Sequence, residues 1–222
     1  MVTKKNKILI LVFAAASALA SLIAFPFLPD QIPINWGLNG EITYGGKEHA
    51  LYIGLIPLLL APLYLYLPKI DPRRKNYDRF SKYYGGFGIL LMVFLFLLNA
   101  IVLSESLWPG HISVSKVMPL MVGIMLIFIG NMMPKFKSNF FIGIKTVWTI
   151  SSTNVWNKTH RLGGLLFFWC GVLFCLTALW LPDNVMFWML LGTVLICAVV
   201  PTVMSYVWYR QEEKKAEETE EE

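Results

Sequence analysis

The chain has 222 residues, 56% of them hydrophobic, with 19 Lys and Arg against 14 Asp and Glu and a net charge of +5. A mean hydropathy of +0.59 lies outside the range of soluble globular domains and excludes a soluble enzyme or solvated binding module. The positive charge does not point to nucleic acid, because the cations are dispersed over several short polar segments instead of forming one patch, so no direct nucleic-acid binding is expected.

A bilayer-crossing helix needs roughly 20 mostly apolar residues. Six segments qualify: Ile8–Leu28, Ala50–Leu67, Tyr83–Leu103, Val117–Met133, Leu162–Leu181 and Val185–Tyr209. Ala18-Leu19-Ala20 resembles a signal-peptidase site, but the apolar run continues to Leu28 and predicts an uncleaved first helix. Threading six spans puts seventeen of the nineteen Lys and Arg on one side, leaving only Lys47 and Lys116 on the other. The positive-inside rule then predicts both termini in the cytoplasm. The expected fold class is all-α: one polytopic membrane domain over residues 1–222. Within it, residues 1–68 form a two-helix module with an outer loop at 28–49, and residues 83–209 form a four-helix region.

The outer loop reads LPDQIPINWGLNGEITYGGKEH. Its Pro29, Pro33, Gly37, Gly40, Gly45 and Gly46 are expected to interrupt any regular element, giving a turn-rich cap. Trp36 and Tyr44 suit headgroup depth. The next polar segment, residues 68–82, is basic, and Tyr77, Phe80 and Tyr84 recur at helical spacing, which could make its second half an interfacial extension of the third span. After the short connection at residues 104–116 comes the fourth span, with Pro119 within it. Residues 130–164 then read GNMMPKFKSNFFIGIKTVWTISSTNVWNKTHRLGG, with five Lys or Arg and no Asp or Glu. A basic, aromatic, acid-free connection between spans is a cytoplasmic membrane-interface segment. Ser151 or Ser152 is placed to cap a helix starting near Thr153, and residues 139–149 read as extended or looped. Leu181-Pro182-Asp183-Asn184 closes a tight turn before the last span. Residues 210–222 read as a disordered acidic tail.

Candidate chemistry is sparse. No span carries an Asp, Glu, Lys, Arg or His away from its ends, whereas ion-coupled transporters place such groups near the midplane. Asn99, the main deep polar residue, is explained by a helix–helix hydrogen bond. Cys170, Cys175 and Cys197 fall inside spans and read as packing residues. No HExxH or other metal-ligand spacing occurs among His49, His111 and His160, although Glu48 and Glu105 make a metal site across the outer loops conceivable. No catalytic residue, metal or cofactor is assigned. Thr159-His160-Arg161, at the mouth of the fifth span, admits two readings: a site for a phosphate or acidic partner, or a snorkelling, capping network where a helix enters the membrane.

Gly130-Asn131, Met133-Pro134, Asn139, Ile142-Gly143-Ile144-Lys145-Thr146, Trp148-Thr149, Ser151, Val155-Trp156 and Lys158-Thr159-His160-Arg161 together resemble the signature of the SdpI family. These are bacterial membrane proteins that give immunity against a secreted peptide toxin. The outer loop, with Pro29, Pro33, Trp36, Gly40 and Tyr44, looks like the N-terminal module common in that family. Lys145, Val147 and Asn35 depart from the pattern, which usually has Arg, Pro and His there. The resemblance implies a membrane immunity protein whose partners are lipids, a secreted peptide toxin and a cytoplasmic transcriptional repressor. A small-molecule or lipid transporter and a metal-dependent membrane enzyme are the competing classes. The resemblance places the lipid- or partner-binding residues in the cytoplasmic loop at Asn131, Pro134, Asn139, Gly143, Lys145, Thr146, Trp148, Thr149, Trp156, Lys158, Thr159, His160 and Arg161.

Overall fold

The computed structural model describes residues 2–37 and 41–220. Six of its helices are long and apolar enough to span a bilayer: α1 (Lys4–Ala24), α2 (Glu48–Ile70), α3 (Tyr77–Leu107), α4 (Val114–Met132), α6 (Thr153–Thr177) and α7 (Asp183–Glu220). A one-turn helix, α5 (Val147–Ser151), precedes α6. The chain is therefore a multi-pass, all-α membrane protein, as its hydropathy required.

Helices α1, α2 and α3 pack as one group, and α4 against α6 as another, with α7 on α6. In a membrane no hydrophobic force joins helices, so close backbone approach and polar pairs must do so. Gly123 and Gly130 of α4 meet Gly171 and Gly164 of α6 in antiparallel register; a Cβ on any of the four would strike the facing backbone. The α1–α3 contact is instead a polar knot. Asn99 donates to the Ser17 carbonyl (3.0 Å) and to Ser21 Oγ (3.0 Å), and all three side chains are buried. Between α2 and α3 the device is reciprocal. Pro68 has no N–H to give the Tyr64 carbonyl one turn earlier, and Tyr84 Oη donates to that carbonyl instead (2.6 Å). Tyr64 Oη returns a bond to the Tyr84 carbonyl (2.5 Å), and the rings stack 4.4 Å apart.

Three local expectations differ from the structure. The outer loop is not irregular: β1 (Gln31–Trp36) and β2 (Ile42–Gly46) form an antiparallel hairpin. Pro33 is tolerated because the register shifts between Pro33 and Asn35, and an irregularity of that kind is where a strand proline fits. An isolated hairpin is marginal, but this one rests on the bundle through Leu28 and Ile32, which pack with Ala50, Val102 and Leu103. The acidic end is not disordered through residue 220, since α7 runs as helix to Glu220. Its Glu, Lys and Ala residues are strong helix formers; Arg210 pairs with Glu213 (2.7 Å), and Glu212 accepts from Ser152 Oγ (2.6 Å). Finally, the segment from Tyr77 does extend the third helix, across a kink at Phe80 (φ −134°, ψ 20°), but Tyr77, Phe80 and Tyr84 face inward and are buried rather than lying against lipid.

All four basic segments gather at one end of the bundle. Val2 joins the core cluster of Tyr77, Phe136 and Ile142, Arg73 bonds to Ser138 and Ile150, and Glu212 bonds to Ser152. The opposite end carries the hairpin and two closed turns. Glu105, imagined from sequence as a metal ligand, accepts the Gly110 and Ile112 N–H groups (3.0 and 2.8 Å), and Lys116 caps the Leu179 and Leu181 carbonyls.

Candidate functional site

At the basic end, residues 136–146 run without regular structure between α4 and α5. Irregular backbone at membrane depth must still satisfy its N–H and C=O groups. Side chains of this segment, of α6 and of the turn after α2 supply the partners, and the arrangement has two centres.

The first centre is Asn139, fully buried. Its Oδ1 accepts from Phe141 N (2.9 Å) and Ile142 N (2.8 Å), and its Nδ2 donates to the Lys137 carbonyl (2.9 Å) and the Ile142 carbonyl (3.0 Å). One side chain thus folds the loop around itself. Beside it the buried Asp71, just beyond α2, accepts from Phe140 N (2.9 Å), Tyr77 Oη (2.8 Å) and Arg73 N (2.7 Å). Arg73 then reaches across to Ser138 Oγ and the Ile150 carbonyl (2.7 Å), stacking over the Phe140 ring. Asn76 donates to the Ser138 carbonyl (2.7 Å). Asp71, Arg73 and Asn76 were not among the residues singled out from sequence, their signal being only an Asp-Pro pair opening a basic stretch, and Tyr77 was read only as part of an interfacial helix.

The second centre is His160 on α6. Its Nε2 lies 3.0 Å from Ile144 N, and its Nδ1 lies 2.8 Å from the Trp156 carbonyl. An N–H must donate to Nε2 and a carbonyl must receive from Nδ1, so the proton sits on Nδ1 and the ring is neutral. Both nitrogens are spent on backbone, so His160 itself is not free to act as a base. Trp156 stacks on the imidazole at 3.9 Å and donates from Nε1 to the Phe136 carbonyl (2.8 Å). Gly143 turns the chain onto His160 with φ +109°, and a Cβ there would collide with His160 Nε2. The position therefore demands glycine twice, by backbone and by space.

Helix α5 follows from a capping box: Thr146 Oγ1 accepts from Thr149 N (3.1 Å), and Thr149 Oγ1 accepts from Thr146 N (2.9 Å). Threonine replaces the usual Glu or Gln at the third position, which is why residues 147–149 read as loop. Thr149 also donates to the Ile144 carbonyl (3.0 Å), and Thr146 meets Ser205 of α7 (2.9 Å). Ser152, one of the two serines expected to cap α6, does so through Val155 N (3.2 Å). Lys145 Nζ closes the turn on the Phe140 and Phe141 carbonyls, both at 3.1 Å.

The candidate residues thus divide. Asn139, Thr149, Trp156, Thr159 and His160 are buried, and apart from Thr159 they are occupied within the chain. Thr159 Oγ1 has no hydrogen-bond partner among the described residues. Trp148 is half-buried, its ring 5.1 Å from that of Tyr206. Asn131, Pro134, Gly143, Lys145, Lys158 and Arg161 are exposed, and Thr146 is half-buried. Asn131 merely returns a bond to its own helix at Ile127 (3.1 Å), whereas Pro134 packs on Gly164. Lys158 and Arg161 lie one turn apart on α6. Of Thr159-His160-Arg161, the histidine is thus bonded to backbone through both ring nitrogens, and the arginine faces outward.

At the hairpin end, Pro33 is buried, Trp36 is half-buried, Pro29 and Tyr44 are exposed, and Gly40 lies outside the described residues. Trp36 borders a cavity of about 620 Å³ between the hairpin and the helices, lined mainly by apolar side chains such as Ile101, Met118, Phe174 and Phe187, with Asn35 and Asp183 among its polar groups.

Comparison with known proteins agrees with the signature. Residues 135–205 match the SdpI/YfhL protein family, and residues 12–61 match a domain of unknown function, DUF1648. Over 207 residues, covering 93% of this chain and 97% of the other, the sequence is 25% identical to Immunity protein SdpI of Bacillus subtilis (strain 168). No solved structure matches the chain.

Proposed function

We propose that this chain belongs to the SdpI/YfhL family and protects the membrane of its own cell against a secreted, membrane-active peptide toxin. The observation that carries this reading is the similarity to an immunity protein along almost the whole chain, hairpin module and basic loop included. In this reading the basic end faces the cytoplasm, following the charge bias, and the hairpin end faces the arriving peptide. The apolar cavity beneath Trp36 is of a size that suits burial of a peptide's apolar side chains. Protection needs binding and no bond-making step, which accords with a His160 already spent on backbone.

The cytoplasmic end then serves a second role, docking a transcriptional repressor while toxin is present. The exposed Lys158 and Arg161 support it, since both project outward from α6 on the same turns whose Trp156, Thr159 and His160 are turned inward. The test is complementation. A Bacillus subtilis strain lacking its SdpI, producing this chain at normal membrane abundance, should survive the toxin that SdpI counters. Killing at the rate of the empty-vector strain would defeat the proposal.

A further inference from the structure

Lys7 of α1, Lys69 of α2, and Arg74 and Lys75 of the turn before α3 border one pocket of about 460 Å³ at the basic end. Three separate elements deliver these cations. The positive-inside rule asks only that they lie on one side of the membrane; it does not ask that they surround a common hollow. All four are exposed, and among the described residues none is ion-paired. Asp78 is the one carboxylate in the lining, so the pocket keeps a strong excess of positive charge. Its remaining walls are largely apolar, with Val2 and Leu65 below the cations.

A free inorganic anion gains nothing from apolar walls, and a lipid tail gains nothing from a ring of cations. A molecule with an anionic head and an apolar body uses both. The volume lies within the roughly 300–1,000 Å³ typical of small-ligand sites. Arg74 can present two parallel N–H donors to one phosphate, and the lysines add point charge around it. The site also sits at the end of three spans, at the depth where phospholipid headgroups lie. We propose that this pocket binds the phosphate headgroup of an anionic phospholipid, whose acyl chains lie along the adjoining apolar surface of α2 and α3. Such a lipid would pin α1 to the segment bearing Asp71 and Tyr77, and so brace the signature loop from behind. The inference does not depend on which peptide the protein counters.

The full-length protein is purified in detergent and titrated with phosphatidylglycerol, cardiolipin and phosphatidylcholine, with native mass spectrometry reading bound lipid. Retention of the two anionic lipids at least tenfold tighter than phosphatidylcholine is expected. The triple variant Lys69→Gln, Arg74→Gln, Lys75→Gln should lose that preference. The charge-matched variant Lys135→Gln, Lys137→Gln, Lys214→Gln should keep it within about twofold. Leu65→Trp, which fills the apolar wall and leaves every charge in place, should also weaken anionic-lipid retention, provided that its melting temperature matches the parent. Equal loss in both triple variants would reduce the pocket to diffuse surface charge and overturn the proposal. Inorganic phosphate competing fully at millimolar concentration, with Leu65→Trp silent, would assign the site to a free anion and overturn it as well.

Discussion

Asn139→Ala is the sharpest probe of the signature loop. The parent side chain satisfies two N–H groups, of Phe141 and Ile142, and two carbonyls, of Lys137 and Ile142, at 2.8–3.0 Å in a fully buried position. Alanine removes these four bonds, together with a longer one from Tyr77 Oη (3.3 Å), and leaves the backbone groups behind. At roughly 0.5–1.5 kcal/mol for each, the loss should reach about 2–6 kcal/mol, the lower end applying if water enters the vacated space. Asn139→Asp should fare no better: it keeps an acceptor for the two N–H groups, loses both donors, and sets a second buried carboxylate beside Asp71. Asn131→Ala is the control, because that exposed side chain only returns a bond to Ile127, and its effect should stay within about 0.5 kcal/mol. Thermal unfolding of purified protein in one detergent, followed by intrinsic tryptophan fluorescence, ranks the three. If Asn139→Ala unfolds together with the parent, the loop is not organised around Asn139 and the argument fails.

Two substitutions in the same turn should act in opposite directions. Gly143→Ala forces a side chain onto φ +109° and into His160, costing about 1–3 kcal/mol from backbone strain alone. Val147→Pro should stabilise by about 0.4–1 kcal/mol, since Val147 is the exposed first residue of α5, where proline's missing N–H is harmless; denaturation midpoints read both. Arg161→Ala should leave unfolding unchanged yet weaken toxin protection or repressor recruitment, whereas His160→Ala should lower stability first; a silent Arg161→Ala in both assays would remove it from the functional surface. Cysteines introduced at Lys75 and His111 should react with an impermeant reagent from opposite sides of the membrane, and labelling from one side would break the orientation.

The spans were legible because twenty apolar residues in a row have few other uses, and the charge bias correctly grouped the four basic segments at one end. Boundaries were less so: α3 begins at Tyr77 rather than Tyr83, since Asp78, Arg79 and Lys82 look like loop by composition while Tyr77 and Phe80 bury the other face. The hairpin was hidden by the paired Gly45 and Gly46, which read as breaks in a solvated loop, and by Pro33, which fits this strand beside a register shift. Sequence wording located the signature loop, but not the reason for its composition. His160 serves the Ile144 N–H from another helix, and the neighbours of Asn139, namely Asp71, Arg73 and Tyr77, come from the segment after α2, far away in sequence. No periodicity carries information of that range. The glycine seam of α4 and α6, four residues with a seven-residue spacing on each helix, was readable in principle once the two helices were paired.

Immunity itself is tested most directly in the bacterium that encodes the chain. The gene is deleted, and the deletion strain is exposed to concentrated culture supernatant from its wild-type siblings while a potential-sensitive dye reports membrane polarisation. The proposed function predicts rapid depolarisation and loss of viability, both reversed by a plasmid copy of the wild-type gene and not by one carrying Asn139→Ala. A deletion strain that keeps its membrane potential in supernatant that depolarises unrelated sensitive cells would contradict it.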